Sequence, residues 1–274
     1  MTESQVVSIV LPVTETGLAR IDVNYHPELR YSFKEHDMNL NNSMERIIKF
    51  ALDECLPPIL RDSKFFMWLP FKVAFGSKAH YFFNFKEQVA SISDESISDI
   101  YSQTGSVQIQ ENDTDLGRSM IREIDTNISG ESLLDVGCGK GVLAKRLSKK
   151  CSVTACDILI DPKTVNNLPQ IDFRKASIEN LPFGDGEFDT VTCTHTLEHI
   201  RDVSRAVKEL KRVAGKRLIV VVPKERPYRY TFSLHVNFFP FKYQLLQLFH
   251  QNFASSTCTI KEIDGCWYYQ EDVQ

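Results

Sequence analysis

Three glycines at alternate positions follow a short apolar run at residues 133–136, whose only charged member is Asp135. The glycines are Gly137, Gly139 and Gly141, and a segment rich in Lys, Leu and Ala comes next. A strand, a glycine turn and a helix bring backbone N–H groups close to a ligand, because glycine has no Cβ to hold the ligand away. The spacing differs from the Gly-x-Gly-x-x-Gly dinucleotide pattern, and an acidic residue here would repel a diphosphate but attract an amine or a sulfonium. The stretch therefore predicts a site for a ligand that carries positive charge.

Other side chains that could do chemistry follow the ends of later predicted strands. Asp157 ends the second of these strands, where a carboxylate can accept hydrogen bonds from the two hydroxyls of a ribose. His195 and His199 follow the fourth strand, and His235 lies further along the chain. A neutral imidazole is the natural general base near pH 7, so His195 is the first candidate for that role and His235 the second. For His199 we favour a structural role in the turn.

The elements that must position these residues alternate between strand and helix from residue 132 onward. We predict helices at residues 141–150, 203–213 and 241–249, and strands at residues 132–136, 152–157, 171–174, 188–194, 217–222, 256–263 and 266–269. This alternation predicts an α/β fold: a doubly wound, mostly parallel seven-stranded sheet with helices on both faces and a C-terminal antiparallel hairpin. Ligands of such sheets bind at the carboxyl ends of the strands, where the strand order reverses.

Residues 1–90 are predicted to form an N-terminal extension, and residues 91–274 the main domain. The extension is rich in aromatic residues: Phe65, Phe66, Trp68, Phe71, Phe75, Tyr81, Phe82, Phe83 and Phe85. One interpretation is a local core that docks the extension on the main domain; the other is a lid or wall over a substrate, or a dimer face. Further elements are predicted as strands near residues 6–11 and 19–25 and helices at 42–55, 94–101 and 115–128.

The composition is that of an ordinary globular protein, with 274 residues, 42% hydrophobic, 25% charged and a net charge of −4. The acidic balance argues against a nucleic-acid binder, which usually has a basic surface. The seven cysteines have no framework spacing, so neither a disulfide scaffold nor a zinc ribbon is expected. No apolar run is long enough to span a membrane, and the start lacks signal-peptide features. We therefore expect a cytoplasmic protein with reduced thiols.

Four stretches resemble parts of the class I S-adenosylmethionine (SAM) methyltransferases, in the small-molecule "type 11" branch. Residues 133–141 resemble motif I of that family. Residues 174–189, with Leu-Pro-Phe and Phe-Asp, resemble the segment from the adenine-binding loop into the fourth strand. Residues 193–200 resemble the motif that ends in Leu-Glu-His, and residues 235–239 resemble a segment common in this branch. The resemblance covers roughly residues 94–274 and implies SAM as the cofactor and S-adenosylhomocysteine as its product.

The resemblance also implies roles for individual residues. The cofactor would be bound by Asp135, Gly137, Cys138, Gly139, Gly141, Asp157, Ile158, Ser177, Ile178, Glu179, Thr194 and His195. The methyl acceptor would be bound by His199, Arg226, Tyr228, Arg229, Tyr230 and His235. One position departs from the family, because Ser177 stands where an Asp usually accepts a bond from the adenine amino group. Ser177 can still accept that bond without charge, or Glu179 can substitute.

By this resemblance the chain is expected to methylate a hydroxyl or amine of a small molecule: a sugar, a lipid precursor or a secondary metabolite. It would bind no DNA, since the Asn/Asp-Pro-Pro-aromatic and Pro-Cys motifs of base methyltransferases are missing. It would need no metal, have no stable membrane insertion, and be a monomer or a homodimer. Three alternatives stay open: a protein or RNA methyltransferase, a SAM-binding but inactive partner subunit, and a glycosyltransferase suggested by the opening Val-Ser-Ile-Val-Leu-Pro.

Overall fold

The computed structural model describes residues 6–13, 17–24, 55–89, 91, 99–100, 114–227, 229–230, 233–250 and 258–273. The chain divides into two compact units, residues 1–44 and residues 45–274. In the first unit, strands β1 (Val6–Val13) and β2 (Gly17–Asn24) pair antiparallel, as the sequence predicts. The predicted helix at 42–55 and most of the one at 94–101 lie outside the described residues.

The second unit is built on a seven-stranded sheet. Its strands are β3 (Ser132–Val136), β4 (Ser152–Asp157), β5 (Asp172–Lys175), β6 (Phe188–Thr194), β7 (Ala214–Pro223), β8 (Cys258–Ile263) and β9 (Cys266–Asp272). They lie in the order β5-β4-β3-β6-β7-β9-β8. Strands β3 to β7 are parallel, whereas β9 runs antiparallel to both β7 and β8. The predicted sheet, including its C-terminal hairpin, is confirmed.

The strand order reverses between β3 and β6. After β3 the chain moves outward to β4 and β5, then returns to place β6 on the other side of β3. The carboxyl ends of β3 and β6 therefore form the crevice where sheets of this kind bind ligands. The glycine turn follows β3 at this crevice, and His195 follows β6.

Helices cover both faces of the sheet. They are α4 (Arg118–Thr126), α5 (Val142–Leu147), α6 (Pro162–Asn167), α7 (Val203–Val213) and α8 (Lys242–Phe249), preceded by α1 (Pro58–Arg61), α2 (Lys64–Phe75) and α3 (Ala79–Gln88). One core cluster joins α7 and α8 to the sheet, and a second joins α4 and α5 to it. Within β7, Val220 belongs to the first cluster and Val221 to the second. Burial of both faces explains the unbroken apolar run of this strand.

The aromatic helices α2 and α3 form a third core together with the segment that follows β7. Phe71 and Phe83 pack with ring centroids 4.5 Å apart, and Phe83 packs on Tyr230 at 5.0 Å. This packing agrees with a docking core. The opposite side of α2 is apolar as well, since Phe65 is 95% exposed and Leu69 63% exposed. The boundary at residue 90 and the role of the extension as lid or dimer element stay predictions.

No helix in the described part of the chain has both the length and the apolar character that a bilayer crossing requires.

The guanidinium of Arg212 fastens the loop between β5 and β6 onto α7. It donates hydrogen bonds to the carbonyl oxygens of Leu181 and Phe183, at 3.0 and 2.7 Å, and pairs with Glu209 at 2.8 Å. Glu209 in turn accepts a hydrogen bond from the Leu181 N–H at 2.8 Å. The distinctive Leu-Pro-Phe stretch is thus held by a planar fork of donors that a lysine ammonium cannot reproduce.

We expect Arg212→Lys to lower the free energy of unfolding by about 1–3 kcal/mol, because it leaves buried carbonyls without donors. The matched control is Arg205→Lys on the same helix, whose exposed side chain should change stability by less than about 0.5 kcal/mol. Urea denaturation measures both. Equal losses in the two variants would show that Arg212 does not fasten the loop.

Candidate functional site

The glycine turn after β3 is built against the end of β4. The N–H groups of Gly137 and Cys138 both donate to the carbonyl oxygen of Cys156, at 2.8 and 3.1 Å. Gly137 has φ 74°, and a Cβ there would collide with Thr196. Gly139 has φ 50°, and a Cβ there would have no atom of the described residues within 4 Å. The N–H groups of the turn therefore donate to the protein and not to a phosphate. At Gly139 the described residues leave space for a ligand.

Asp157 connects the end of β4 to this turn. Its Oδ2 accepts a hydrogen bond from the Gly139 N–H at 2.9 Å, and its Oδ1 accepts one from the Leu159 N–H at 3.1 Å. Burial raises the pKa of Asp157 above its usual value, although both backbone N–H groups act in the opposite direction. A carboxylate oxygen can accept a second hydrogen bond, so each oxygen retains capacity for a hydroxyl donor.

Asp135 lies behind the turn and is only 1% exposed. Its Oδ1 accepts a hydrogen bond from the Thr192 hydroxyl at 2.8 Å, while its Oδ2 has no hydrogen-bond partner among the described residues. Burial, helped by the negative charge of Asp157, raises the pKa of Asp135 to about 6. A buried carboxylate with an unpaired oxygen is costly, and a cationic ligand nearby would offset that cost.

The remaining residues that are predicted to bind the cofactor differ in exposure. Ile158 is 39% exposed, as is Leu159, a residue that the sequence analysis did not single out. Ile178 is buried in the core, and the Ser177 hydroxyl accepts a hydrogen bond from the Glu179 N–H at 3.3 Å. Contacts of these residues with an adenine stay predictions, as do those of Thr194, which ends β6, and of Cys138, whose thiol pKa is raised by burial.

A second group of side chains, the histidine–carboxylate cluster, consists of Glu198, His199, Glu225 and His235. The His235 Nδ1 lies 2.6 Å from a carboxylate oxygen of Glu225, and the His199 Nδ1 lies 3.3 Å from the carbonyl oxygen of Leu234. The two imidazole rings meet edge to face at 4.7 Å. One carboxylate oxygen of Glu198 and one ring nitrogen each of His199 and His235 lie within 4.8 Å of one another.

Backbone contacts bring these two distant segments together. The Glu198 carbonyl oxygen accepts hydrogen bonds from the N–H groups of Val236 and Asn237, at 2.7 and 3.0 Å. The Asn237 amide donates to the carbonyl oxygens of Leu197 and Ile200, at 2.9 and 2.6 Å. Residues 235–239, which we call the clamp, are therefore bound to the turn after β6 and hold His235 beside it.

His195 occupies the strained point where the chain leaves β6. It has φ 50°, and its N–H donates to the Val221 carbonyl oxygen at 2.9 Å. Burial disfavours the imidazolium, but contacts with Cys266 and with Glu198, 3.4 Å from Nδ1, outweigh it and raise the pKa of His195 to about 10. Burial lowers the pKa of His199 to about 4. An imidazolium has no lone pair to accept a proton, which argues against His195 as a base. The role of His235 as a base stays a prediction.

The other predicted acceptor-binding residues are dispersed. Arg229 donates its N–H to Asp62 at 3.2 Å and pairs with Glu87 at 3.2 Å, while the Tyr230 ring is buried against α3. Arg226 and Glu225 line an open cavity of about 720 Å³ that extends to α8 and β9. Tyr228 lies outside the described residues. The structure thus brings together His195, His199 and His235, and it uses Arg229 and Tyr230 to contact the aromatic helices.

Comparisons with known proteins show what this chain is similar to. Residues 134–220 match the family described as "Methyltransferase domain". A "Ubiquinone biosynthesis O-methyltransferase" of Dechloromonas aromatica is 33% identical over 118 residues, which are 39% of this chain and 51% of that protein. A "2-phytyl-1,4-naphtoquinone methyltransferase" of Nostoc punctiforme is 34% identical over 97 residues, 31% of this chain and 42% of that protein. The chain spans about half the length of the curated relatives it matches.

Among solved structures, the fold is similar to that of Burkholderia thailandensis 1,6-didemethyltoxoflavin-N1-methyltransferase with bound 1,6-didemethyltoxoflavin and S-adenosylhomocysteine. The TM-score is 0.52 at 15% identity, over 65% of this chain and 86% of that one. This likeness concerns the fold.

The raised pKa of Asp135 predicts a measurable effect on stability. Because the folded carboxyl holds its proton to higher pH than the unfolded chain does, stability is lost as the pH rises from about 4 to about 6. We expect Asp135→Asn to abolish this slope and raise the free energy of unfolding at pH 7 by about 1–3 kcal/mol.

The opposite sign is expected for Asp189→Asn. The pKa of Asp189 is lowered to about 2 by its bond with Lys216 and by backbone N–H groups, so this variant should lose stability at pH 7. Urea unfolding at pH 4.5 and pH 7 compares the variants. An Asp135→Asn protein no more stable than the parent at pH 7 would show that this carboxylate is not strained in the ligand-free fold.

Proposed function

We propose that this chain, which carries a class I SAM-dependent methyltransferase domain of the type 11 branch, transfers a methyl group to a small molecule. One observation supports it most directly: the Asp157 carboxylate contacts the Gly139 N–H at the strand-order reversal. This contact supports a ribose site, because the carboxylate lies beside a turn in which Gly137 and Cys138 donate their N–H groups to the protein and not to a phosphate.

The residues present fit this cofactor. Bound SAM supplies an electrophilic methyl group on a positively charged sulfur. The space at Gly139 admits a ligand close to the backbone, and the unpaired Asp135 Oδ2 suits its amine or sulfonium charge. Asp157 would accept bonds from the ribose hydroxyls, and the exposed faces of Ile158 and Leu159 would cover the adenine. Alignment of donor and acceptor by such contacts is worth roughly 7–11 kcal/mol of the barrier.

The acceptor class follows from the histidine–carboxylate cluster. A neutral amine attacks with its free lone pair and needs no base for that step, whereas a hydroxyl must give up its proton. The cluster supplies half-buried imidazoles and buried carboxylates beside the end of β6, which favours a hydroxyl acceptor over a neutral amine. The printed name of one relative, a ubiquinone biosynthesis O-methyltransferase, supports an aromatic hydroxyl over a sugar hydroxyl.

Other features of the whole protein remain part of the proposal. A monomer or a homodimer, no DNA partner, and a cytoplasmic location stay predictions. One rival is a SAM-binding but inactive partner subunit. It predicts cofactor binding without turnover on any acceptor mixture, whereas a protein or RNA methyltransferase would act on a peptide or on tRNA.

A pair of glycine variants tests the cofactor site. We expect Gly139→Ala to weaken S-adenosylhomocysteine binding at least about tenfold, because the new methyl group fills the space that the ligand needs. Its loss of stability should be about 1 kcal/mol, from the positive φ alone.

Gly141→Ala is the matched control, because its φ of 71° imposes similar strain while its Cβ would press on Phe173 and Leu168 at 3.0 and 3.1 Å. This variant should lose more stability and less affinity than Gly139→Ala. Calorimetric titration and thermal unfolding give both quantities. Wild-type affinity in the Gly139→Ala protein would place the cofactor elsewhere.

A further inference from the structure

We infer that Glu198, His199 and His235 bind a divalent transition-metal cation, which ionises the hydroxyl of the acceptor. This inference rests on the proposed function and says how the hydroxyl of the acceptor loses its proton. Ligand atoms of these residues lie within 4.8 Å of one another. Ligands about 2.1 Å from a tetrahedral zinc ion are about 3.4 Å apart, so binding would draw the three groups together by roughly 1 Å.

The Glu198 carboxylate is the first reason. It is 0% exposed, and neither of its oxygens has a hydrogen-bond partner among the described residues. Buried charges in proteins are paired or coordinate metals. His195 forms an ion pair of 3.4 Å with one oxygen of this carboxylate. The imidazoles of His199 and His235 also lie near the carboxylate. A cation would satisfy the oxygens that protein donors do not reach.

The anchoring of the imidazoles is the second reason. Carboxylate and carbonyl oxygens only accept hydrogen bonds, so the Nδ1 of His235 must donate to Glu225 and the Nδ1 of His199 to Leu234. In a neutral ring the lone pair then lies on Nε2. Metal-binding histidines typically donate their other N–H to a carboxylate or a backbone carbonyl in this way. Glu225 and the Leu234 carbonyl therefore act as positioning groups.

The third reason is that the set is held rigidly before any ligand arrives. Hydrogen bonds from Val236 and Asn237 to the Glu198 carbonyl oxygen lock His235 to the turn that carries Glu198 and His199. Two histidines and one carboxylate suit zinc, manganese or iron, and they leave coordination positions for an acceptor oxygen.

The chemistry balances without another reactant. A cation next to the acceptor lowers the pKa of its hydroxyl, and the proton passes to solvent. The oxygen lone pair then forms the new bond to the methyl carbon, while the carbon–sulfur bond breaks and its electron pair stays on sulfur. The sequence predicts no metal set because Glu198 and His199 are separated from His235 by more than thirty residues.

Calorimetric titration of the chelator-treated full chain with manganese(II) tests this inference. Manganese is chosen because zinc would also bind the thiols among the seven cysteines. We expect one equivalent to bind the wild type. Glu225→Gln should weaken binding roughly 10–100-fold as a positioning residue, and His235→Gln by more than about 100-fold as a ligand. His80→Gln, which alters an exposed imidazole on α3, should change nothing.

Titration of each variant with S-adenosylhomocysteine reports whether it is folded and separates the two proposals. Manganese binding of equal strength in the wild type and in His235→Gln, or none in either, overturns the metal site while cofactor binding still supports the methyltransferase. Cluster-dependent manganese binding without any cofactor binding overturns the proposed function and leaves the metal site standing.

Discussion

A hydrogen bond between the Gly139 N–H and the Asp157 carboxylate joins the ends of two neighbouring strands, and the candidate site depends on it. It keeps the glycine turn pressed against β4, together with the bonds from Gly137 and Cys138 to Cys156. The turn covers Asp135, whose buried carboxylate accepts a hydrogen bond from Thr192 on β6. The central strands β3, β4 and β6 thus meet at one point through polar contacts, and this point coincides with the reversal of strand order.

Negative charge accumulates at this edge of the sheet beyond what the fold itself requires. Asp135, Asp157 and Glu198 are all carboxylates removed from water, and burial opposes the ionised form of each. Among the described residues, the imidazolium of His195 contacts Glu198, whereas no cationic side chain is paired with Asp135 or Asp157. Burial of a carboxylate without such a partner is expected where a site gives up stability for function. A sulfonium and amine near Asp135 and a divalent cation near Glu198 would each complete a charge balance that the ligand-free chain leaves open.

Much of the sheet follows from local pattern. Strands β3, β4 and β6 have the bounds that the sequence predicts. Strand β7 begins earlier than predicted, at Ala214, because it pairs with Phe188 across a register shift that no local pattern reveals. Helix α5 ends at Leu147, where the Ser148 hydroxyl bonds back to the Lys145 carbonyl oxygen and a turn replaces the predicted last residues.

Some of the candidate site residues can be identified from the sequence, and others cannot. Asp135, the glycines and Asp157 could be identified from the sequence because their neighbours along the chain also position them. Glu225 could not, since its partnership with His235 arises only when the clamp at Asn237 folds back onto Leu197 and Ile200. Tyr230 was expected near an acceptor, yet its ring packs on Phe83 because the aromatic helices need a partner surface.

Transfer of a labelled methyl group from SAM to an acceptor is the most direct test of the proposed reaction. The full chain would be incubated with methyl-labelled SAM and a panel of catechols, alcohols and amines, and the products separated by mass. The account predicts label on the oxygen of an aromatic hydroxyl, in a reaction that depends on Asp157. Tight cofactor binding with no label on any acceptor would contradict it and identify the chain as a silent partner subunit.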